Sequence, residues 1–360
     1  MLKLCITFDY ELFFGTMQAE EEEILIQPAK QYLDMLNARG VKGTFFADAA
    51  ALIRYRKEGL SHFPELAERQ LAGACLAGHD VQLHIHPFWN CAVRDRASAQ
   101  WIFDNRLYRI HSQAEPIADI VNENYRFLTD MMRRYVPDYQ CIAFRAGGFC
   151  LQPEGELLRS LSDHGIVIDS SVCKGAKSDT GIHFYDYKDM PKETNWWMCA
   201  ASGIKQAVSE EDGEMYEIPV GTLQNKIYKC FLIKYPKKLK LEPFKGKQTP
   251  ESLYDRSKCR VFLGKLKRLW NDPVLFTFDT LHYEALEKML VYYREKNRNT
   301  DAVISLIGHP KFGCGASVEN LGAFIDLVKR KYEDVEFVTM KDIYKNLKRI
   351  DKYSEYEYRF

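Results

Sequence analysis

The sequence predicts an α/β protein, a parallel sheet or barrel with helices packed outside it. Short apolar, β-rich runs alternate along the 360 residues with stretches whose apolar side chains recur at i, i+3, i+4 and i+7. Polar residues with chemical potential gather just after those runs, at strand carboxyl ends, where parallel α/β folds place their sites. The chain is 46% apolar and 13% aromatic, ample for a large core, and its length permits one big α/β domain or two ordinary ones.

Strands are expected over 2–8, 42–47, 81–86, 141–145, 166–168, 217–220, 302–307 and 335–340. Pro28 opens a helix as a first-turn proline and Gly40 closes it, with Ala29, Tyr32, Leu33 and Leu36 as its stripe. Further helices are expected over 63–72, 117–135 and 153–164. Another follows the seventh strand, where Val318, Leu321, Phe324, Ile325 and Val328 share a face. There is no internal repeat. The long connection over 88–115 carries Trp89, Trp101, Phe103, Tyr108 and His111, which suits either a lid or sugar platform or ordinary packing.

The alternation breaks between the sixth and seventh strands. Residues 225–270 hold 14 Lys or Arg against 3 Asp or Glu, so this segment is +11 and the remainder −11. It is too long for a normal βα loop and reads as an insertion. Such a basic patch could dock on an anionic membrane surface or a pyrophosphate-linked substrate; the plainer reading is a solvated face. The expected organisation is one domain over 1–345 with this insertion, then a charged tail over 346–360.

Lys plus Arg equals Asp plus Glu, 50 against 50, so global charge does not suggest nucleic acid. Ten scattered cysteines without a Cys-x-x-Cys pair read as reduced. The apolar start is too short for a secretory signal, and no run approaches the roughly 18 apolar residues of a membrane span. A cytoplasmic protein is expected.

The stretch Gly78-His79-Asp80-Val81-Gln82-Leu83-His84-Ile85-His86-Pro87 reads as a buried strand ending in two histidines. Strand alternation turns Gln82, His84 and His86 to one face, and Pro87 stops the ladder. Two imidazoles one pleat apart can grip a metal ion; the bland alternative is a pair of satisfied core histidines. The other strand ends carry Asp9 and Glu11, Arg145, Asp169 and His309. In a closed parallel barrel these converge. Glu11 or Asp9 with His84 and His86 would ligate a metal and leave a position open for water. The second acid can take the water's proton, Arg145 can hold that acid ionised, and His309 can protonate a leaving group. That is metal-assisted hydrolysis of an amide or ester.

Set in order, Ile6-Thr7-Phe8-Asp9-Tyr10-Glu11, Gly43-Thr44-Phe45-Phe46, Gly78-His79-Asp80 with His84, Phe144-Arg145-Ala146-Gly147-Gly148-Phe149, Asp169-Ser170-Ser171-Val172, Glu217-Ile218-Pro219-Val220 and Ile304-Ser305-Leu306-Ile307-Gly308-His309 resemble the motifs of the polysaccharide deacetylase family, the NodB-homology domain of carbohydrate esterase family 4. The resemblance runs from about Met1 to Met340, broken by the basic insertion. It implies a distorted (β/α) barrel of seven or eight parallel strands and a divalent metal ion, zinc first, with cobalt, nickel or manganese as alternatives. Carried over, Asp9 is the general base, Glu11 and His84 are metal ligands, Arg145 orients Asp9, Asp169 helps hold the constellation and His309 is the general acid. Tyr10, Trp89 and Phe149 are the expected substrate contacts, with a backbone N–H near Tyr10 assisting at the oxyanion. His79 matches a supporting position.

Two departures bear on this. Tyr10 stands where the common pattern has a second Asp, and Phe88 stands where it has the second metal histidine. Either His86 takes that place or a ligand is lost. The expected activity is removal of an acyl group, N-acetyl above all, from an amino sugar of a nucleotide- or lipid-linked polysaccharide precursor. The alternative is a catalytically inactive relative that binds glycan or a partner. An amidohydrolase-type barrel also carries His-x-His, but after its first strand, and its fourth histidine and bridging lysine are not evident at strand ends here.

Overall fold

The fold is a distorted (β/α) barrel. The structure, a computed structural model, describes residues 1–12, 17–18, 20–224, 247–248, 272–313 and 315–347. The basic insertion, all but two of its residues, and the tail beyond 347 lie outside the described residues. The main sheet contains β1 (Leu2–Tyr10), β2 (Thr44–Asp48), β3 (Asp80–Ile85), β4 (Ala143–Ala146), β5 (Ile168–Asp169), β6 (Trp196–Met198), β7 (Met215–Glu217), β8 (Ala302–Gly308) and β9 (Val335–Val338). Its order is β6-β7-β5-β4-β3-β2-β1-β8, with β9 also beside β1. Every pairing is parallel except β6 with β7.

The sheet curls until its two edges meet. Residues 218–221 bridge them: Ile218 N donates to Asp169 O at 2.8 Å and Val220 N to Val172 O at 3.0 Å, while Gly221 N donates to Ser305 O at 2.9 Å. The expected strand over 217–220 is thus a short strand, β7, followed by a closing segment.

Parallel strands buried on both faces must satisfy an inside and an outside, and alternation along β1 does so. Leu4, Ile6, Phe8 and Tyr10 join the large outer core beneath the helices, whereas Cys5 joins a small inner cluster with Phe46, Ala143, Ile168, Ile218 and Val303. The outer core centres on Phe8, stacked on Phe45 at 4.6 Å and tilted against Phe278 at 5.2 Å. The inner cluster is plugged by Met340 and Ile343 from α8 (Met340–Asn346), whose start is fixed by Thr339 and Asp342 in a reciprocal capping box.

Among the described residues, helices α1 (Gln27–Ala38), α2 (Ala49–Lys57), α3 (His62–Leu76), α4 (Ile117–Arg133), α5 (Gly155–Asp163), α6 (Tyr283–Lys296) and α7 (Gly315–Lys331) surround the sheet. Pro28 lies in the first turn of α1 as expected. Two helices, α2 and α6, are additions to the sequence reading. The alanine run Ala49–Ala51 offers α2 little periodic contrast, and α6 follows a segment whose character is masked by the basic insertion. No helix among the described residues is long and apolar enough to cross a membrane.

Candidate active site

The inward face of β1 carries Thr7, Asp9 and Glu11, and that of β3 carries Gln82, His84 and His86, because each set is spaced by two. Arg145 of β4 is fully buried and spans the barrel interior. Its Nη1 donates to Asp9 Oδ1 at 2.6 Å and to Thr7 Oγ1 at 3.0 Å, its Nη2 to the hydroxyls of Ser170 and Ser305, both at 2.9 Å, and its Nε to Ser170 O at 2.9 Å. All five N–H groups of the guanidinium are thereby engaged, and its carbon stands 4.2 Å from the centre of the Phe46 ring. Burial pushes the Asp9 carboxyl upward, but Arg145, His84 and His309 outweigh it and hold Asp9 below the ordinary carboxylate value.

Glu11 stands between two sets of nitrogen groups. Its Oε2 faces His84 Nε2 at 3.0 Å and lies in hydrogen-bond contact with His86 Nε2. Its Oε1 accepts from Lys311 Nζ at 2.6 Å and lies 3.5 Å from His309 Nε2. Burial raises this carboxyl too, but Lys311 and His86 drive it well below the ordinary range. Ligand atoms of Glu11, His84 and His86 lie within 4.8 Å of one another, and so do those of Asp9, Glu11 and His309.

The first of these sets fits a divalent cation. His84 Nδ1 contacts Arg145 O at 2.7 Å, and only a protonated Nδ1 can bond a carbonyl. In the neutral tautomer the lone pair of Nε2 then points at Glu11 Oε2. Two acceptors 3.0 Å apart need a cation between them, a proton or a metal ion. Burial lowers the His84 value, yet Asp9 and Glu11 lift it to about 9, which is the same demand for positive charge expressed as proton affinity. A backbone carbonyl on the far nitrogen is also the usual support of a metal-binding imidazole.

His309 follows β8. Its ring Nδ1 contacts Asp279 Oδ2 at 2.7 Å and its backbone N donates to Asp279 Oδ1 at 2.9 Å. Nε2 faces Asp9 Oδ2 at 3.6 Å. Burial lowers the imidazole's value, and Asp279, Asp9 and Glu11 together raise it above normal.

Asp169 sits one layer behind. It accepts from Ser171 Oγ at 2.7 Å and Ser171 N at 3.0 Å, and it pairs in register with Glu217 across β5 and β7. It contacts neither Asp9 nor His309; Ser170, its neighbour, is what holds Arg145. Tyr10 alternates away from the pocket, and its hydroxyl donates to Gln70 Oε1 of α3 at 2.8 Å. Trp89 is 1% exposed, packed by Tyr55, Trp101 and Phe103 at 4.9 to 5.8 Å, so the aromatic connection is core at this residue and Trp89 offers no sugar platform. Phe149 is half-buried, and its carbonyl accepts from Tyr187 at 2.6 Å. His79 is structural: its Nδ1 accepts from Gly43 N at 3.1 Å.

Three neighbours were not foreseen. Asp279 ends the run Val274–Phe278 just as Asp9 ends its own strand, and that acid-after-strand signal could have found it. Asp48 ends β2 beside His84; its Oδ1 accepts from His86 N at 3.1 Å, while Oδ2 has no hydrogen-bond partner among the described residues. Lys311, two residues past His309, carried no signal. The tightness around His86 also explains a glycine: a Cβ on Gly147 would stand 2.6 Å from His86 Nδ1.

No family model matches the chain, and no curated protein matches it. Among solved structures it is similar to a protein of Mycobacterium smegmatis assigned as a polysaccharide deacetylase, at 14% identity, over 98% of this chain and 91% of that one, with a TM-score of 0.44. It is also similar to the PuuE allantoinase, at 13% identity, over 96% and 89%, with a TM-score of 0.47. A third is the catalytic domain of a peptidoglycan N-acetylglucosamine deacetylase from Eubacterium rectale, at 9% identity, over 94% and 89%, with a TM-score of 0.39.

Proposed function

We propose that the protein is a metal-dependent hydrolase of the deacetylase kind, removing an N-acyl group, N-acetyl foremost, from an amino sugar of a polysaccharide precursor. The observation that carries this is the meeting, at one barrel end, of an Asp9–Arg145 ion pair, an Asp279–His309 pair and a Glu11–His84–His86 cluster. Glu11, His84 and His86 would hold a divalent ion, zinc first. Such an ion supplies Lewis acidity, lowering the pKa of water and steadying negative charge on the acyl oxygen.

The rest of the work falls to the chain's own side chains. Asp9, kept ionised by Arg145, accepts the proton of the attacking water. Arg145 cannot wander, because Thr7, Ser170 and Ser305 fix its guanidinium. Asp279 holds Nδ1 of His309 and supports its positive form. His309 then gives the Nε2 proton to the leaving nitrogen. The basic segment over 225–270 would serve an anionic, pyrophosphate-linked part of the substrate or a membrane surface carrying it.

The test is metal content per chain together with acetate release from acetylated amino sugars. One ion per chain, lost in His84→Ala and in His86→Ala, is expected. Asp9→Asn should keep the ion and lose about 10²–10⁴-fold in turnover, the span typical of a general base. Full turnover by Asp9→Asn would remove it as the base. One bound ion with no release from any acylated sugar would favour a glycan-binding relative without turnover.

A further inference from the structure

We infer that Lys311 is a built-in rival of the metal ion: its ammonium holds the outer oxygen of Glu11 and weakens cation binding between Glu11, His84 and His86. The inference rests on the reading of those three residues as the metal ligands and concerns how tightly they bind.

Lys311 belongs to the single turn Pro310–Phe312 that follows β8, so the same chain reversal that delivers His309 delivers it. Its side chain is 10% exposed. Nζ donates to Glu11 Oε1 at 2.6 Å and to Leu12 O at 3.2 Å. The two oxygens of Glu11 are therefore divided, Oε1 to Lys311 and Oε2 to the histidines. Two consequences follow. Oε1 keeps a second lone pair, but the ammonium already draws on its electrons, so Glu11 is a weaker two-oxygen ligand while the lysine stays. The Glu11–His84–His86 set also carries one negative charge, and Lys311 cancels it. The nearby charge of Asp9 is likewise matched, by Arg145 at 2.6 Å. A divalent ion thus gains little from the charge of Glu11 and enters next to a fixed cation screened by little water. Affinity should be low for a site of this ligand type, and a bound ion should be a stronger Lewis acid because its carboxylate ligand shares its electrons with an ammonium.

The alternative is that the lysine merely ties the end of β1 to the end of β8. Charge removal separates the two. Zinc and cobalt affinities would be measured by competition with a chromophoric chelator for the wild type, Lys311→Met and Lys311→Arg, with thermal unfolding alongside to establish that each is folded. Lys311→Met should bind at least about tenfold more tightly, a gain equal in size to the smaller of the roughly 10–100-fold losses that follow removal of a supporting neighbour of a metal ligand. The cobalt absorption bands should shift as Glu11 becomes a stronger two-oxygen ligand. Lys311→Arg should keep the wild-type affinity. If the wild type binds one ion and folded Lys311→Met binds no more tightly, the ligand reading stands and this inference fails. Binding seen only in Lys311→Met would support it in its strongest form. No binding by any variant would overturn both.

Discussion

Arg145 shows how much one side chain can be asked to do. It is an arginine with no exposure, and a buried charge persists only where it is paired and hydrogen-bonded. Asp9 supplies the pairing and Thr7, Ser170 and Ser305 supply the bonds. Arg145→Met should therefore cost about 3–5 kcal/mol, since it strands a buried carboxylate; urea unfolding would measure it, and a cost below about 1 kcal/mol would contradict the pairing. Lysine is no substitute, because a point charge with three donors cannot serve the five acceptors that the guanidinium fork reaches. The two catalytic candidates also set a pH profile. With the proposed roles, activity should rise as Asp9 loses its proton, below the usual carboxylate value, and fall as His309 loses its own, above the usual imidazole value. Asp279→Asn withdraws the largest of the groups raising His309, so the alkaline limb of kcat/KM should move to lower pH while the acid limb stays. An unmoved alkaline limb would detach Asp279 from His309.

Pairs of strands carry the next level of the design. Asp169 and Glu217 are directly opposite across β5 and β7 and both are buried. Two carboxyl groups in that position cannot both ionise. Burial and Asp169 push Glu217 well above the ordinary value, while burial alone raises Asp169 and Glu217 partly offsets it. Glu217 thus holds the proton in the folded state. The sign follows from linkage: between the ordinary carboxyl value and the raised one, the native state binds more protons than the unfolded chain, so stability falls as pH rises through that window. Glu217→Gln keeps a donor without the titration and should flatten the decline; the midpoint of urea unfolding at pH 5 and pH 8 would test it, and an unchanged slope would show that the pair does not govern it. Strand existence was largely legible from the sequence, since β1, β3 and β8 are apolar runs bounded by polar turns. Helix α2 was not, because alanines mark no face.

At the scale of the whole molecule, the site exists because the sheet closes. Segment 218–221, continuing from β7, joins the end of β5 to β8, and the run Phe276–Phe278 lies along the far end of β8, which brings Asp279 to His309. A ligand that binds only the closed barrel stabilises all of it. Zinc at about 100 times its dissociation constant should add about 2.7 kcal/mol to unfolding, read as a rise in Tm that chelator removes and His84→Ala lacks. A rise that survives in His84→Ala would put the ion elsewhere.

What the sequence by itself determined is local: which runs are strands, which residues end them, and which side chains share a face. Alternation put Gln82, His84 and His86 together, and Asp9 with Glu11, before any coordinates were needed, since a period of two is a property of the strand alone. Contacts between distant segments were decided only by the tertiary structure. Tyr10 and Trp89 carry chemistry suited to a sugar, yet the fold turns the first to Gln70 and packs the second inside an aromatic cluster. Asp169 has the right neighbours in sequence, but its partner in space is Glu217. Lys311 looked like one basic residue among 50, and only the turn after β8 sets its ammonium on Glu11. Burial fixes those roles, because the same carboxylate or ammonium has a different charge state and a different partner once water is gone.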